Sequence, residues 1–177
     1  MQWNVDDPIA APIEDVEAIM FDRAVLEAIP TAMKGIESVK VLALESSPSR
    51  AERVLYFRPA LNVPRFALRV PRENTEWTES LVWDRSLRAG QLTIMPNMPD
   101  RFRKYFNCGG TLSLEAVDAT HTIRRLAAEL TIDYGIMTGA LAKRLAIGII
   151  QRQFLREGRL VEERAQARAQ ARGISLP

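Results

Sequence analysis

Trp77-Thr78-Glu79-Ser80-Leu81-Val82-Trp83-Asp84 is the stretch on which the reading of the fold turns. Trp77, Leu81 and Trp83 share one side of a two-residue period, which marks a β-strand with a buried face. Glu79 is the anomaly on that face. Alternation points it inward between Trp77 and Leu81, where an unpaired carboxylate is expensive. Arg58 or Arg124, each near the end of its own strand, would neutralise it or a ligand headgroup. A β-bulge or register slip would instead turn Glu79 to solvent, and both readings stand at this point.

Strand patterns continue in both directions. Downstream, Gly90 suits a hairpin turn into Gln91-Leu92-Thr93-Ile94-Met95. Phe106, Cys108, Leu112 and Leu114 alternate around Gly109-Gly110. A turn at Asp118-Ala119-Thr120 then leads to Leu126, Ala128, Leu130, Ile132 and Tyr134 on one face. Upstream lie Val39–Leu44, a turn at 46–49, Val54–Phe57, and Phe66–Val70 between Pro64 and Pro71. About seven strands at hairpin spacing predict an antiparallel meander.

The flanks are helical. From Asp6 to Gly35 the spacing predicts two short helices. Pro12 suits a first helical turn, Ile13, Val16, Ile19 and Met20 form a stripe, and Asp22 caps a second helix through Val25, Leu26 and Ile29. Met137 to about Arg172 contains no proline; Leu141, Leu145 and Ile149 repeat every four residues, and Ile147, Ile150, Phe154 and Val161 widen the stripe. Beyond Glu163 the chain repeats Arg-Ala-Gln-Ala, helix-forming but without an apolar face, so its end is expected to project or fray. The expected organisation is one domain over residues 1–163 and a helical extension over 164–177.

Composition agrees with one folded domain: 177 residues, 47% apolar and 26% charged. A single cysteine excludes an internal disulfide. The opening Met1-Gln2-Trp3-Asn4-Val5 lacks the basic and apolar regions of a signal peptide, and no run of about 18 apolar residues occurs, so a cytoplasmic location is the default. After Tyr134, eight basic residues face three acidic ones. Such a helix could meet an anionic membrane surface, with no specific nucleic acid expected; a plainly solvated helix face explains it as well.

Catalytic signatures are sparse. His121 is the sole histidine and falls in a turn, leaving little for a histidine metal site or a Ser-His-Asp triad. Cys108 sits on a strand beside glycines and reads as a buried, inert thiol. Gly109-Gly110 leads into a strand and lacks phosphate-loop spacing. No catalytic residue, metal site or cofactor is assigned.

The opening Ala10-Ala11-Pro12-Ile13-Glu14-Asp15-Val16-Glu17-Ala18-Ile19-Met20-Phe21-Asp22 resembles the first helix of the START-like (polyketide cyclase and lipid-transport) superfamily. Gly109-Gly110-Thr111-Leu112-Ser113-Leu114 and Thr120-His121-Thr122-Ile123-Arg124 are similar to its last hairpin. The order and spacing of elements carry the resemblance, which covers residues 1 to about 163. It implies an α+β helix-grip fold: a curved antiparallel sheet wrapped around a long C-terminal helix, with two short helices after the first strand.

A bent sheet and one helix cannot interlock everywhere, and small-molecule pockets form in the gap. The expected wall is Tyr56, Phe66, Leu68, Trp77, Glu79, Leu81, Trp83, Leu92, Ile94, Leu126, Leu130, Leu141 and Leu145; the alternative is that they pack as a dry core. Met95, Met98 and Phe102 suit a lid, with Arg101, Arg103 and Lys104 beside it. The expected function is non-catalytic binding or transport of an apolar small molecule or lipid. The alternatives are a cyclase-like enzyme using Glu79, Tyr56 and Arg124, and an interaction module with a filled core.

Overall fold

The computed structural model describes residues 1–60, 76–97, 99–132 and 140–175, without the side chains of 102, 132, 140–143, 145 and 146. Among these, seven strands form one antiparallel sheet: β1 (Gln2–Ile9), β2 (Ile36–Ser46), β3 (Arg50–Pro59), β4 (Trp77–Asp84), β5 (Ala89–Pro96), β6 (Phe106–Ala116) and β7 (Thr122–Ile132). The spatial order is β1-β7-β6-β5-β4-β3-β2. Strands two to seven therefore run as the expected meander, and the first strand crosses to the far edge beside the last. The helices are α1 (Ile13–Met20), α2 (Arg23–Ala32), a short α3 (Asp100–Arg103) and α4 (Ala140–Ala171). At about 1.5 Å per residue, the 32 residues of α4 span about 48 Å, enough to cross the curved sheet.

Local chemistry explains most boundaries. Pro12 precedes the first residue of α1, whose Ile13, Val16, Ile19 and Met20 are all buried. The Asp22 carboxylate accepts the backbone N–H groups of Ala24 and Val25 at 2.8 and 3.2 Å, capping α2 as its sequence predicts. On β4, Glu79, Leu81 and Trp83 are buried, and the strand pairs with both neighbours without a register break from Trp77 to Asp84. Glu79 therefore faces inward.

Several expectations need correction. Residues 6–9 are the end of β1, not helix: Asp6 to Ile9 pair with Arg125 to Thr122 of β7. Gly90 does not make the hairpin turn. Arg85–Arg88 does, with Arg88 at φ 48°, while Gly90 lies in β5 opposite Trp83. A Cβ there would overlap the Val82 carbonyl and the Trp83 ring, so glycine makes room for a fully buried indole. On α4, Ile149 is 57% exposed, whereas Ile147, Phe154, Leu160 and Val161 are buried.

The end of α4 does not project. Ala165 and Ala169 are completely buried, and α4 packs along α1. Arg168 and Arg172 converge on the buried Asp15 of α1 at 3.1 and 2.8 Å, and Gln166 donates to the Ala10 carbonyl. Alanine every four residues is a narrow apolar stripe that lets two helices approach closely, and the arginines beside it neutralise a carboxylate that would be costly alone. The Phe66–Val70 strand expected from sequence lies outside the described residues.

Candidate functional site

The concave face of the sheet meets α4 over a cavity of about 270 Å³. Its described wall is Trp77, Glu79, Leu92, Ile94, Pro96 and Leu126 from the sheet and Ile149, Ile150, Gln153, Phe154 and Glu157 from α4, with Glu76 preceding β4. Trp77 stacks on Phe57, ring centroids 5.1 Å apart and planes 7° from parallel, which fixes one aromatic wall. Most of the surface is apolar. Carboxylates are its charged groups among the described residues.

Behind the wall lies a buried ionic network. Arg53 places one guanidinium nitrogen 3.0 Å from both Glu79 and Glu157, and its other terminal nitrogen donates to the Met20 carbonyl. Arg124 lies 3.0 Å from Asp7 and 3.6 Å from Glu157, donates to the Phe154 carbonyl, and stacks its guanidinium 3.9 Å above the Phe154 ring. Both arginines are essentially inaccessible to solvent. Asp7 reaches the network because α4 carries glycine at 158, where a Cβ would overlap its carboxylate.

Burial pushes the Glu79 carboxyl upward, and the nearby Arg53 only partly offsets it. Burial also acts on Glu157, but Arg53 and Arg124 together hold it below the ordinary carboxylate range. Asp7 is raised by burial despite Arg124. Glu157, between two guanidiniums, therefore keeps its charge more firmly than Glu79 or Asp7.

The residues expected from sequence divide into groups. Trp77, Glu79, Leu92, Ile94 and Leu126 lie in the cavity wall. Leu81, Trp83 and Leu130 are fully buried in the core, Trp83 beside Phe21 at 6.1 Å. Tyr56 stands on the opposite face of β3 from the buried Arg53, Leu55 and Phe57, and its hydroxyl donates to Glu76. Met95 follows Ile94 onto the other face of β5. Phe66, Leu68 and Met98, and the side chains of Phe102, Leu141 and Leu145, lie outside the described residues.

Neither arginine expected beside Glu79 hydrogen-bonds it. Arg58 pairs with Glu76 at 2.7 Å, and Arg124 serves Asp7. The true partner, Arg53, shares its alternation with Leu55 and Phe57, and that phase was the available signal. It was obscured because Val54-Leu55-Tyr56-Phe57 is apolar on both faces. Glu157 was equally readable, three residues after Phe154 and four before Val161 on one helical stripe.

Cys108 is buried with its thiol pushed up to about 11 by desolvation and by Glu79. His121 closes a turn, its Nδ1 3.0 Å from Asp118. The Thr120 backbone N–H, followed by His121, holds that carboxyl at about 2. No helix among the described residues is long and apolar enough to cross a membrane.

No protein-family model and no curated protein matches the chain. Solved structures do. The ZhuI aromatase/cyclase from Streptomyces sp. R1128 superposes with a TM-score of 0.67 at 15% identity, covering 99% of both chains. TTHA0849 from Thermus thermophilus gives 0.61 at 20% identity over 96% of this chain and 99% of its own. Norcoclaurine synthase from Thalictrum flavum gives 0.57 at 10% identity over 92% and 84%. Identities this low speak to architecture alone, and the chain has the α+β helix-grip fold that its order of elements implies.

Proposed function

We propose that this protein binds a small apolar molecule, without transforming it, in the cavity between the sheet and α4. The observation that carries this reading is the cavity of about 270 Å³, walled by Trp77, Leu92, Ile94, Leu126, Ile150 and Phe154. A dry core would close such a gap, because unfilled apolar space forfeits packing. The volume is near the lower end of the roughly 300–1,000 Å³ usual for small-molecule sites. It suits a guest of a few fused rings or one short chain better than a two-chain phospholipid.

A cyclase-like role is the second reading, favoured by Glu79, a carboxyl disposed to hold a proton in an apolar wall. Of the three residues expected to serve it, Glu79 alone is in that wall. An anionic membrane surface would meet α4 through Arg152, Arg156, Arg159 and Arg164. Arg168 and Arg172 are committed to Asp15.

Trp77 is half-buried in the wall and reports on occupancy. A neutral aromatic probe such as naphthylethanol is expected to change its fluorescence saturably, and Ile94→Trp, which fills the space, is expected to abolish binding while the protein stays folded. A folded parent chain with no saturable response to neutral aromatic probes would refute the proposal.

A further inference from the structure

Three buried carboxylates, Asp7, Glu79 and Glu157, share two guanidiniums, Arg53 and Arg124. The arrangement is also polarised. Glu79 and Glu157 reach the cavity wall, whereas both arginines sit behind them, outside it. Glu76 adds a third carboxylate to the wall, already engaged by Arg58 and Tyr56, and Gln153 is its neutral polar group. Among the described residues, then, every charged group facing a guest is an acid, and the network behind is short of one positive charge.

From this placement we propose that the cavity selects an apolar molecule whose polar end is a protonated amine, and that it discriminates against carboxylates and phosphates. The ammonium would complete the network by sitting against Glu79, whose one partner nitrogen among the described residues is shared with Glu157. An anionic head would face those carboxylates in surroundings too apolar to screen them. Fatty acids and phospholipids are therefore the wrong class of guest.

This inference rests on the cavity-binding reading above, and the test separates the two. Naphthylethylamine, naphthylethanol and naphthylacetate differ mainly in charge and are titrated into the full chain at pH 7, followed by Trp77 fluorescence and calorimetry. The amine is expected to bind about tenfold tighter than the alcohol, and the acid about tenfold weaker than the alcohol. Glu79→Gln is expected to bring amine and alcohol to within about threefold of each other. Because that variant disturbs a buried network, Gln153→Lys serves as a second probe: it adds a cation to the wall and is expected to reverse the amine-over-acid order. Binding of the alcohol with the acid equal to or tighter than the amine would overturn the charge selectivity and leave the cavity reading intact. Failure of all three to bind would overturn both.

Discussion

Replacing Arg53 with methionine isolates what the buried network does for the fold. The side chain is 2% exposed and spans three elements, holding Glu79 of β4, Glu157 of α4 and the Met20 carbonyl at the end of α1. Methionine fills similar volume, so the loss is electrostatic: two buried carboxylates lose their shared partner. Removing one member of a buried pair costs about 3–5 kcal/mol. For a chain of this size that lowers the melting temperature by roughly 6–20 °C.

The pH dependence carries the sign. In the parent, Glu157 titrates below its ordinary range, so its stabilising contribution is present above that range and is lost as pH falls through the depressed value. Glu79 is raised, so its contribution is present at acid pH and lost as pH rises through the raised value. Without Arg53 both carboxyls are raised, and the variant loses stability as pH rises. Urea unfolding followed by circular dichroism should show the full deficit at pH 7 and a much smaller one near about pH 4. Adding Glu79→Gln and Glu157→Gln to Arg53→Met should recover most of it at pH 7. A deficit below about 1 kcal/mol, or one that does not change with pH, would refute the reasoning.

Other perturbations test other parts of the structure. Truncation after Glu163 exposes the alanine seat and strands the buried Asp15, so it should cost about 2–4 kcal/mol, partly restored by Asp15→Asn; an unchanged unfolding midpoint would contradict the docking of the helix end. Gly90→Val should lower stability by about 3 kcal/mol or more through overlap with Val82 and Trp83, while Gly173→Asn, with open space around it and φ 79°, should change it by less than about 1 kcal/mol. Cys108, with its thiol pushed up to about 11, should resist iodoacetamide at pH 8 in the native protein and react promptly in urea; rapid native labelling would show that the strand opens readily.

Much of the architecture was legible because its signals are local and periodic. Trp77, Leu81 and Trp83 set the face of β4, Asp22 caps α2, and the absence of proline from Met137 to Arg172 permits one long helix. What was not legible depends on distant partners. Gln2–Ile9 contains proline and two adjacent aspartates and becomes a strand through pairing with β7, so local propensity says little about it. The Arg-Ala-Gln-Ala end has no obvious apolar face until α1 offers a buried aspartate and a seat narrow enough for alanine. In the candidate site, the inward side of β4 could be read, but a run apolar on both faces hid the phase of β3 and with it Arg53.

The position of β1 has a consequence for how the molecule is made. Gln2 is paired with Glu129 and Ile9 with Thr122, so β1 finds its neighbour only after more than a hundred further residues have been made. The meander from β2 to β6 can assemble hairpin by hairpin as it emerges from the ribosome, whereas β1 and the open side of β6 wait with unpaired backbone until β7 arrives. Asp7 meets Arg124 only at that moment, and Glu157 joins them later still with α4. The cavity between the sheet and α4 therefore takes shape only after the whole sheet is in place. Nascent chains halted before β7 would carry an unpaired β1 and an uncovered β6 edge, a state exposed to aggregation.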